Sequence, residues 1–523
     1  MPSIRLSDLI FSLPQKVVLP AADPLVSGIA LDSRKIQPGF LFVACPGATT
    51  DGHRFIPDAI RRGASAVVGS QPISGLAVPY IQVTDSRRAL AYLAAGLHGF
   101  PARRMTMLGV TGTDGKTTTS NLIFHILQAA GLRAGMISTV NAVIGDEILD
   151  TGFHVTTPDA PDIQNYLEKM VSAGLSHAVI ETTSHGLEQD RVAACDFDIG
   201  IVTNITHEHI NDHGSLDAYR AAKARLFTSL EHTQAKSFHP PRAAVLNMDD
   251  WSYDYLLPQT KVPVVSYGLH ENAAVIAADI QVRQDGLEFQ VRGRTLGGGE
   301  FTFPVQTWLE GWYNVYNCVA AIAATVSVLG IDPAVAQSGI AALKGVPGRM
   351  QRIDLGQDFT AIVDFAHTPN ALKEALLAVR KLTQGKVIAV FGSAGLRDQQ
   401  KRFMMSETSA ELADLTVLTA EDPRTESLTV ILDEMAQGAV RRGGVEGKTF
   451  WRVPDRGNAI RFALTLARPG DLVISCGKGH EQSMCFGTVE YPWDDRTAMR
   501  AALSGHLGIP GPSMPYLPTQ EQQ

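Results

Sequence analysis

The sequence predicts an α/β protein organised in three domains, and three observations carry that expectation. Short apolar runs ending in polar residues, such as "HAVIET" and "DIGIVTNI", alternate with amphipathic stretches. That is the pattern of a mostly parallel sheet covered on both faces. A strand also leads into the glycine-rich turn of "GVTGTDGKTTT", Gly109 to Thr119, and on into a helix. After "GVPGRMQRI" a second series of strand-and-turn units begins.

Taken in chain order, residues 1–100 hold "DSRKIQPGFLFVACPG" and then "AIRRGASAVVG", a helix-like stretch running into a short strand, and read as a small mixed α/β domain. Residues 101–345 open on "RRMTMLGVTGTDGKTTTSNLIFHILQAAG", a strand, a turn and an amphipathic helix beginning near Lys116. The polar residues that end the strands of this central domain stand where ligands of parallel sheets bind. The domain includes "EGWYNVYNCVAAIAATVSVLG", expected as one long Ala-rich helix. Residues 346–508 contain "FTAIVDFAHTPNALKEALLAV", "KVIAVFGSAGLRD" and "DLVISCGKGHE" and read as a Rossmann-like domain. The Pro-rich, polar residues 509–523 are expected to form a flexible tail.

Composition narrows the function. A net charge of −8 argues against a nucleic-acid binder with a general basic surface, yet leaves room for small anions in one cleft. The five cysteines are scattered and show no paired zinc spacing, which fits a reducing compartment. No apolar run is long enough for a membrane span, and the first residues do not read as a signal peptide, so a cytoplasmic protein is expected.

The turn at Gly109–Thr119 departs from the common phosphate-loop spelling, because Val110 stands where a glycine is required before Gly115-Lys116-Thr117. Its context between strand and helix is nevertheless right. Glycines let backbone N–H groups approach phosphate oxygens, Lys116 suits the outer phosphates and Thr117 suits Mg²⁺. Glu181 ends an apolar run, and a carboxylate there fits a hard cation, or else caps the following turn. His207, His209 and His213 fall close to Glu208 and Asp212, either as a metal or phosphate site or as a solvated loop. Next, Ser215 is a candidate N-cap, after which Leu216, Tyr219, Lys223, Leu226 and Phe227 recur at helical spacing. Lys223 thus lies on the apolar stripe. It either snorkels to the surface or is a lysine of lowered pKa able to take up carbon dioxide as a carbamate. In the last domain Asp364, His367, Arg397, Lys401, Glu421, Asp422, Arg424, Lys478, His480 and Glu481 fall in loops at strand ends, where arginines and acids together suit a zwitterion and each loop taken singly reads as a capped turn.

With these residues assembled, the chain resembles the Mur ligases, and among them the MurE type, from about Asp32 to Arg500. The resemblance rests on "DSR" at Asp32, "DGHRFI" at Asp51, "GVTGTDGKTT" at Gly109 and "TTPD" at Thr156, and then on "SHGL" at Ser184, "AKARLF" at Ala222, "DFAHTP" at Asp364 and "GKGHE" at Gly477. It implies an ATP-dependent amide ligase of peptidoglycan precursor synthesis. Such an enzyme adds a diamino acid to UDP-N-acetylmuramoyl-L-alanyl-D-glutamate through an acyl phosphate, as a monomer, with two Mg²⁺ ions and a carbamylated lysine. Related ligases of other carboxylates, such as folylpolyglutamate or cyanophycin synthetases, and an inactive nucleotide-binding scaffold are the alternatives.

By that resemblance, Ser33, Thr49 and Thr50 lie near the UDP end of the substrate. Gly112, Thr113, Asp114, Gly115, Lys116, Thr117 and Thr118 hold ATP, with Asn314, Arg349 and Asp364. Thr117, Glu181, His209 and the carbamate of Lys223 hold metal, and Lys116, Lys223, His209 and Glu181 carry the catalysis. Thr156, Thr157, Thr183, Gln189 and Arg191 meet the muramoyl dipeptide. Arg397, Glu421, Asp422, Pro423, Arg424, Gly477 and Glu481 meet the incoming amino acid. The departures are Asp114 for an asparagine, Val155 for an asparagine, "GSAGLRD" for "GCGGDRD", and "EDPR" for "DNPR". The last leaves two outcomes open: Asp422 favours a plain ammonium, as in lysine or ornithine, or still accepts the amino group of diaminopimelate.

Overall fold

The computed structural model describes residues 3–47, 50–149, 157–206, 214–283 and 286–519. The chain forms two compact units, one of Met1–Ile276, Arg292–Thr302 and Tyr316–Gly339, the other of Ala277–Val291, Phe303–Val315 and Ile340–Gln523. Residues 277–291, 303–315 and 340–345 group with the C-terminal unit.

The first unit holds a two-stranded antiparallel pair, Ile4–Arg5 with Leu25–Val26, a four-stranded sheet and the parallel strands of a larger one. Strands Gly28–Ala30, Phe40–Ala44, Ala66–Gly69 and Tyr80–Gln82 pair in sequence order, all parallel. The larger sheet includes, in order, Ala134–Ile137, His177–Glu181, Thr106–Thr111, Ile199–Val202, Ala243–Asn247 and Val264–Gly268, all parallel, with Ala142–Ile144 and Glu147–Leu149 added antiparallel beside the first of them. Its central strands are buried almost throughout, which explains why they read as unbroken apolar runs rather than as alternation. The strand Thr106–Thr111 lies centrally, with Val110 opposite Glu181 on one side and Ile201 on the other. That register brings the loops after three strands to one edge. The four-stranded sheet is not sealed off from the larger one, since Ala160 and Ala194 pack into its core beside Leu41, Val43 and Leu93.

The second unit carries a six-stranded sheet in the order Gln351–Arg352, Thr360–Asp364, Leu472–Cys476, Val387–Phe391, Leu415–Leu418, Phe450–Arg452. Only the first pairing is antiparallel, in keeping with the Rossmann-like expectation. The Ala-rich helix is shorter than expected: it spans Asn314–Ile322 and widens into a π-helical stretch, Ala323–Val328, where the Thr325 hydroxyl bonds back to the Ala321 carbonyl at 2.7 Å.

The flexible tail is a further correction. Leu517 is fully buried in the core with Trp493 and Leu503, Met514 lies against Gly457, and the Thr519 hydroxyl donates to Asp455 at 2.8 Å. Apolar residues interleaved with the prolines give the segment surface to bury, so it packs. Among the described residues no helix is long and apolar enough to cross a membrane.

Candidate active site

The phosphate-type loop is built by backbone conformations that only glycine tolerates well. Gly112 has φ +146°, and a Cβ there would come within 1.8 Å of the Thr203 hydroxyl. Gly115 has φ +82°, and a Cβ there would meet Asn317 at 2.3 Å. The loop leans on the end of the neighbouring strand: Asn204 accepts from the Thr113 and Asp114 N–H groups, and Thr203 and Asn204 donate to the Asp114 carbonyl. Asp114 is thus held through its backbone, which is compatible with replacing an asparagine there. The helix Lys116–Ala129 begins at Gly115, so its free N–H groups open onto the loop.

Around this loop the expected residues converge. The Thr117 hydroxyl donates to both Glu181 carboxylate oxygens, at 3.1 and 3.0 Å, and the Thr139 N–H adds a third bond at 3.0 Å. Lys116 is half-buried, with Nζ on the Thr113 carbonyl at 2.7 Å. Lys223 is 1% exposed and its Nζ reaches the Gly112 carbonyl at 2.6 Å, over the ring of Tyr219. The helix Leu216–Ser229 is capped by Ser215 as the sequence indicates, and the snorkelling alternative for Lys223 is excluded by its burial. His209, with His207, His213, Thr49 and Thr156, lies outside the described residues. Among the described residues no group of His, Cys, Asp and Glu side chains is arranged to hold a metal ion.

One strand-end away, Thr157, Thr183, Gln189 and Arg191 form a single cluster. The Thr157 hydroxyl donates to the Glu181 carbonyl at 3.1 Å, accepts from the Thr183 N–H at 3.0 Å and lies 3.1 Å from the Thr183 hydroxyl. Arg191 holds the Thr157 carbonyl and the Gln189 side chain, with Asp159 at 3.3 Å. Arg87 reaches the same Gln189 oxygen at 3.3 Å. Sequence reasoning missed Arg87, though a signal existed: "DSRR" puts two arginines in the first turn of a helix, where cations oppose the helix dipole and stand only for a reason. Ser33 and Thr50 follow the first two strands of the small sheet, at their carboxyl ends.

In the second unit Asp364 ends its strand and accepts from the Met350 and Ala366 N–H groups at 2.6 and 2.8 Å. Burial pushes its carboxyl upward against the pull of Arg349, whose guanidinium stacks on Phe365 at 4.4 Å. Tyr313, next to Asn314, is pushed far up by burial and then by Asp364, so these three nucleotide candidates share one neighbourhood. Asn314 donates to the Glu310 carbonyl at 2.6 Å. The neutral His480 ring packs on Phe365, its pKa pulled down to about 3, chiefly by burial.

The amino-acid candidates gather across three loops. Glu421 is buried, its Oε2 has no hydrogen-bond partner among the described residues, and burial pushes its carboxyl up to about 7 despite nearby Lys401, Arg456 and Lys478. Gly477, φ +110°, is needed there, because a Cβ would sit 2.2 Å from that oxygen. Asp422 and Arg424 have φ of +42° and +54°, on either side of Pro423. Lys478, expected to face a ligand, instead turns inward onto Asp422 and Glu481. Arg397 lies on an exposed loop.

Comparison with known proteins matches this layout along the chain. Residues 25–98 match the Mur ligase family catalytic domain, 110–325 the Mur ligase middle domain and 348–479 the Mur ligase glutamate ligase domain. A UDP-N-acetylmuramyl-tripeptide synthetase of Roseiflexus sp. (strain RS-1) is 42% identical over 97% of this chain and 100% of its own length. A UDP-N-acetylmuramoyl-L-alanyl-D-glutamate--2,6-diaminopimelate ligase of Geobacillus thermodenitrificans (strain NG80-2) is 38% identical over 96% of this chain and 99% of its own. A solved structure of a UDP-N-acetylmuramoyl-L-alanyl-D-glutamate--2,6-diaminopimelate ligase superposes with TM-score 0.65 at 30% identity, covering 97% of this chain and 100% of that one. A folylpolyglutamate synthase of Mycobacterium tuberculosis, 17% identical with TM-score 0.61 over 82% and 96% of the two chains, shares the fold. The fold, the glycine loop and these relatives define an ATP-dependent ligase that joins an acid to an amino acid. The chain belongs to the Mur ligase family, in its MurE type.

Proposed function

We propose that this chain adds a diamino acid to UDP-N-acetylmuramoyl-L-alanyl-D-glutamate in peptidoglycan precursor synthesis, consuming ATP in the cytoplasm. The observation that carries the reading is the bond from the Thr157 hydroxyl to the Glu181 carbonyl, 3.1 Å. It ties the Thr157–Thr183–Gln189–Arg191 cluster to the strand end whose carboxylate faces Thr117 in the phosphate-type loop. An acid held by the first would present its carboxylate toward a γ-phosphate held by the second.

In this reading the substrate carboxylate attacks the γ-phosphorus, the bond to the β-phosphate oxygen breaks and ADP leaves, giving an acyl phosphate. The amino group, after losing its proton, attacks the acyl carbon, and the tetrahedral intermediate expels phosphate. Magnesium, when bound, supplies charge neutralisation at the phosphates. Thr117 and Glu181 give it the hard oxygen donors it prefers, with His209 as a further candidate ligand. Lys116 stands at the loop to neutralise the transferring group, and the helix N-terminus after Gly115 orients N–H groups toward it. Lys223 is buried beside the loop; as a neutral amine it would attack the carbon of carbon dioxide and lose a proton to give the carbamate. Arg191 and Arg87 grip the acidic substrate, and Ser33 with the Thr49–Thr50 loop takes its UDP end. By the family resemblance, Asn314, Arg349 and Asp364 are further candidate nucleotide contacts.

The test is ATP-dependent phosphate release with this UDP-linked dipeptide, Mg²⁺ and a diamino acid, with the product weighed by mass spectrometry. A product heavier by one amino acid minus water supports the reading. ATP binding without turnover on any amino acid rejects it.

A further inference from the structure

The turn "GSAGLRD", residues 392–398, departs from the MurE pattern at Leu396, which stands where that pattern has an aspartate. Leu396 has φ +57° and is 62% exposed. Aspartate and asparagine enter left-handed backbone readily, whereas leucine is disfavoured there because its Cβ crowds the following carbonyl oxygen. Packing does little to offset that cost for a side chain so largely in solvent. The conformation of residue 396 must therefore be imposed from outside the residue.

A buried ion cluster imposes it. The Leu396 N–H donates to Glu426 Oε2 at 2.8 Å. Glu426 is itself gripped by a fork, with Arg402 Nη1 on Oε1 at 2.8 Å and Nη2 on Oε2 at 2.7 Å. Arg402 is fully buried, and its Nη1 also meets Glu434 at 2.6 Å. The guanidinium pulls the Glu426 carboxyl down to about 2, so the acceptor of the Leu396 N–H stays ionised near neutral pH. The residues on either side are fixed as well. The Gly395 N–H donates to the Asp422 carbonyl at 3.0 Å, and a Cβ at Gly395 would sit 2.0 Å from the Pro423 carbonyl oxygen. Asp398 caps the helix Gln399–Leu412 by accepting from the Gln400 N–H at 2.9 Å.

An arginine between two glutamates also has a purely structural use, that of joining the helices Gln399–Leu412 and Leu428–Arg441. Arg402 and Glu434 lie on those helices and suffice for it. Glu426 precedes the second helix, and of the two carboxylates it is the one bonded to the turn.

We propose that Glu426, gripped by Arg402, is a positioning residue: it clamps Leu396 in the left-handed conformation and so fixes the direction in which Arg397 leaves the turn. The clamp supplies what the conformational tolerance of an aspartate would otherwise supply at position 396. Its effect on turnover rests on the ligase reading above; the clamp itself does not.

Two measurements test it on Glu426→Ala, in which Glu434 still neutralises Arg402. The control is Glu434→Ala, which cuts the arm joining the helices and leaves the turn's bond in place. Hydrogen exchange on the free enzyme reads the Leu396 N–H. Exchange in Glu426→Ala is expected to be about 10-fold faster than in the wild type or more, and exchange in Glu434→Ala to match the wild type. Equal exchange in the wild type and Glu426→Ala, or the same acceleration in both variants, overturns the clamp. Steady-state turnover with saturating ATP and UDP-linked dipeptide then reads KM for the diamino acid that the wild type uses fastest. Glu426→Ala is expected to raise it by about 10-fold with KM for ATP unmoved. Adding Leu396→Asn is expected to recover most of that loss, since asparagine enters left-handed backbone unaided. An unmoved KM, or a double variant no better than Glu426→Ala, overturns the positioning role. Absence of turnover by the wild type overturns the ligase reading and that role with it, while hydrogen exchange still decides the clamp.

Discussion

Lys223 shows at the residue scale how a sequence anomaly becomes a functional statement. A lysine on the apolar stripe of a helix, 1% exposed and bonded to the Gly112 carbonyl, is an expensive arrangement for a residue that only fills space. Replacing it with alanine is expected to cut turnover by about 100-fold or more, with partial recovery on adding a short-chain carboxylic acid in place of the carbamate. Full activity of Lys223→Ala in the phosphate-release assay would sink that role. Glu421 gives a pH prediction. Its folded-state pKa, about 7, lies above the ordinary carboxyl value of 4.5, so its contribution is fully favourable below the unfolded value and is withdrawn as pH rises through about 7. In the absence of substrates Glu421→Gln should therefore be more stable than the wild type at pH 8.5, by up to about 3 kcal/mol, and equal to it near pH 4. Denaturant unfolding of the two proteins at both pH values measures this; a gap independent of pH would contradict it.

At the scale of elements, the candidate site depends on three strand ends arriving at one level. Lys236 and Asp198 help to set that level. Lys236 Nζ donates to the Met105 and Asp196 carbonyls at 2.9 Å and meets Asp198 at 2.5 Å, while Asp198 accepts from the Met107 N–H at 2.8 Å. The cluster clamps the start of the strand Thr106–Thr111 to the approach of its neighbour, Ile199–Val202. Burial pushes Asp198 up and Lys236 down, each toward its neutral form, so the pair adds little net stability while its breakage strands a buried charge. Lys236→Ala should lower stability by about 3–5 kcal/mol, read as a fall in the thermal midpoint. KM for ATP at a temperature where the variant is folded should be unchanged.

For the whole molecule, residues far from any candidate site still decide whether the C-terminal unit holds its loops in place. Leu517 and Thr519 fasten the chain end to the core that also carries Trp493 and the strand Leu472–Cys476. Deleting everything after Pro510 removes a fully buried leucine and should cost about 2–4 kcal/mol, seen as an earlier unfolding transition of the full-length chain's C-terminal unit. An unchanged transition would mean that the segment adds nothing to the core.

Much of this protein was legible in order along the chain. The parallel sheets announce themselves as apolar runs ending in polar residues, and the phosphate-type loop as glycines between a strand and a helix, because periodicity and backbone freedom are local properties. Lys223 was legible for the same reason, since helical spacing alone places it on the buried stripe. Three features were not. Arg87 joins Gln189 across 102 positions, Lys478 meets Asp422 across 56, and Leu517 finds its core only after the strands have assembled. The sequence alone determined which chemistry the loops carry. Tertiary structure decided which charges pair inside the fold, because a charge's partner is set by distance in space, and distance in space is fixed only when the strands are stacked.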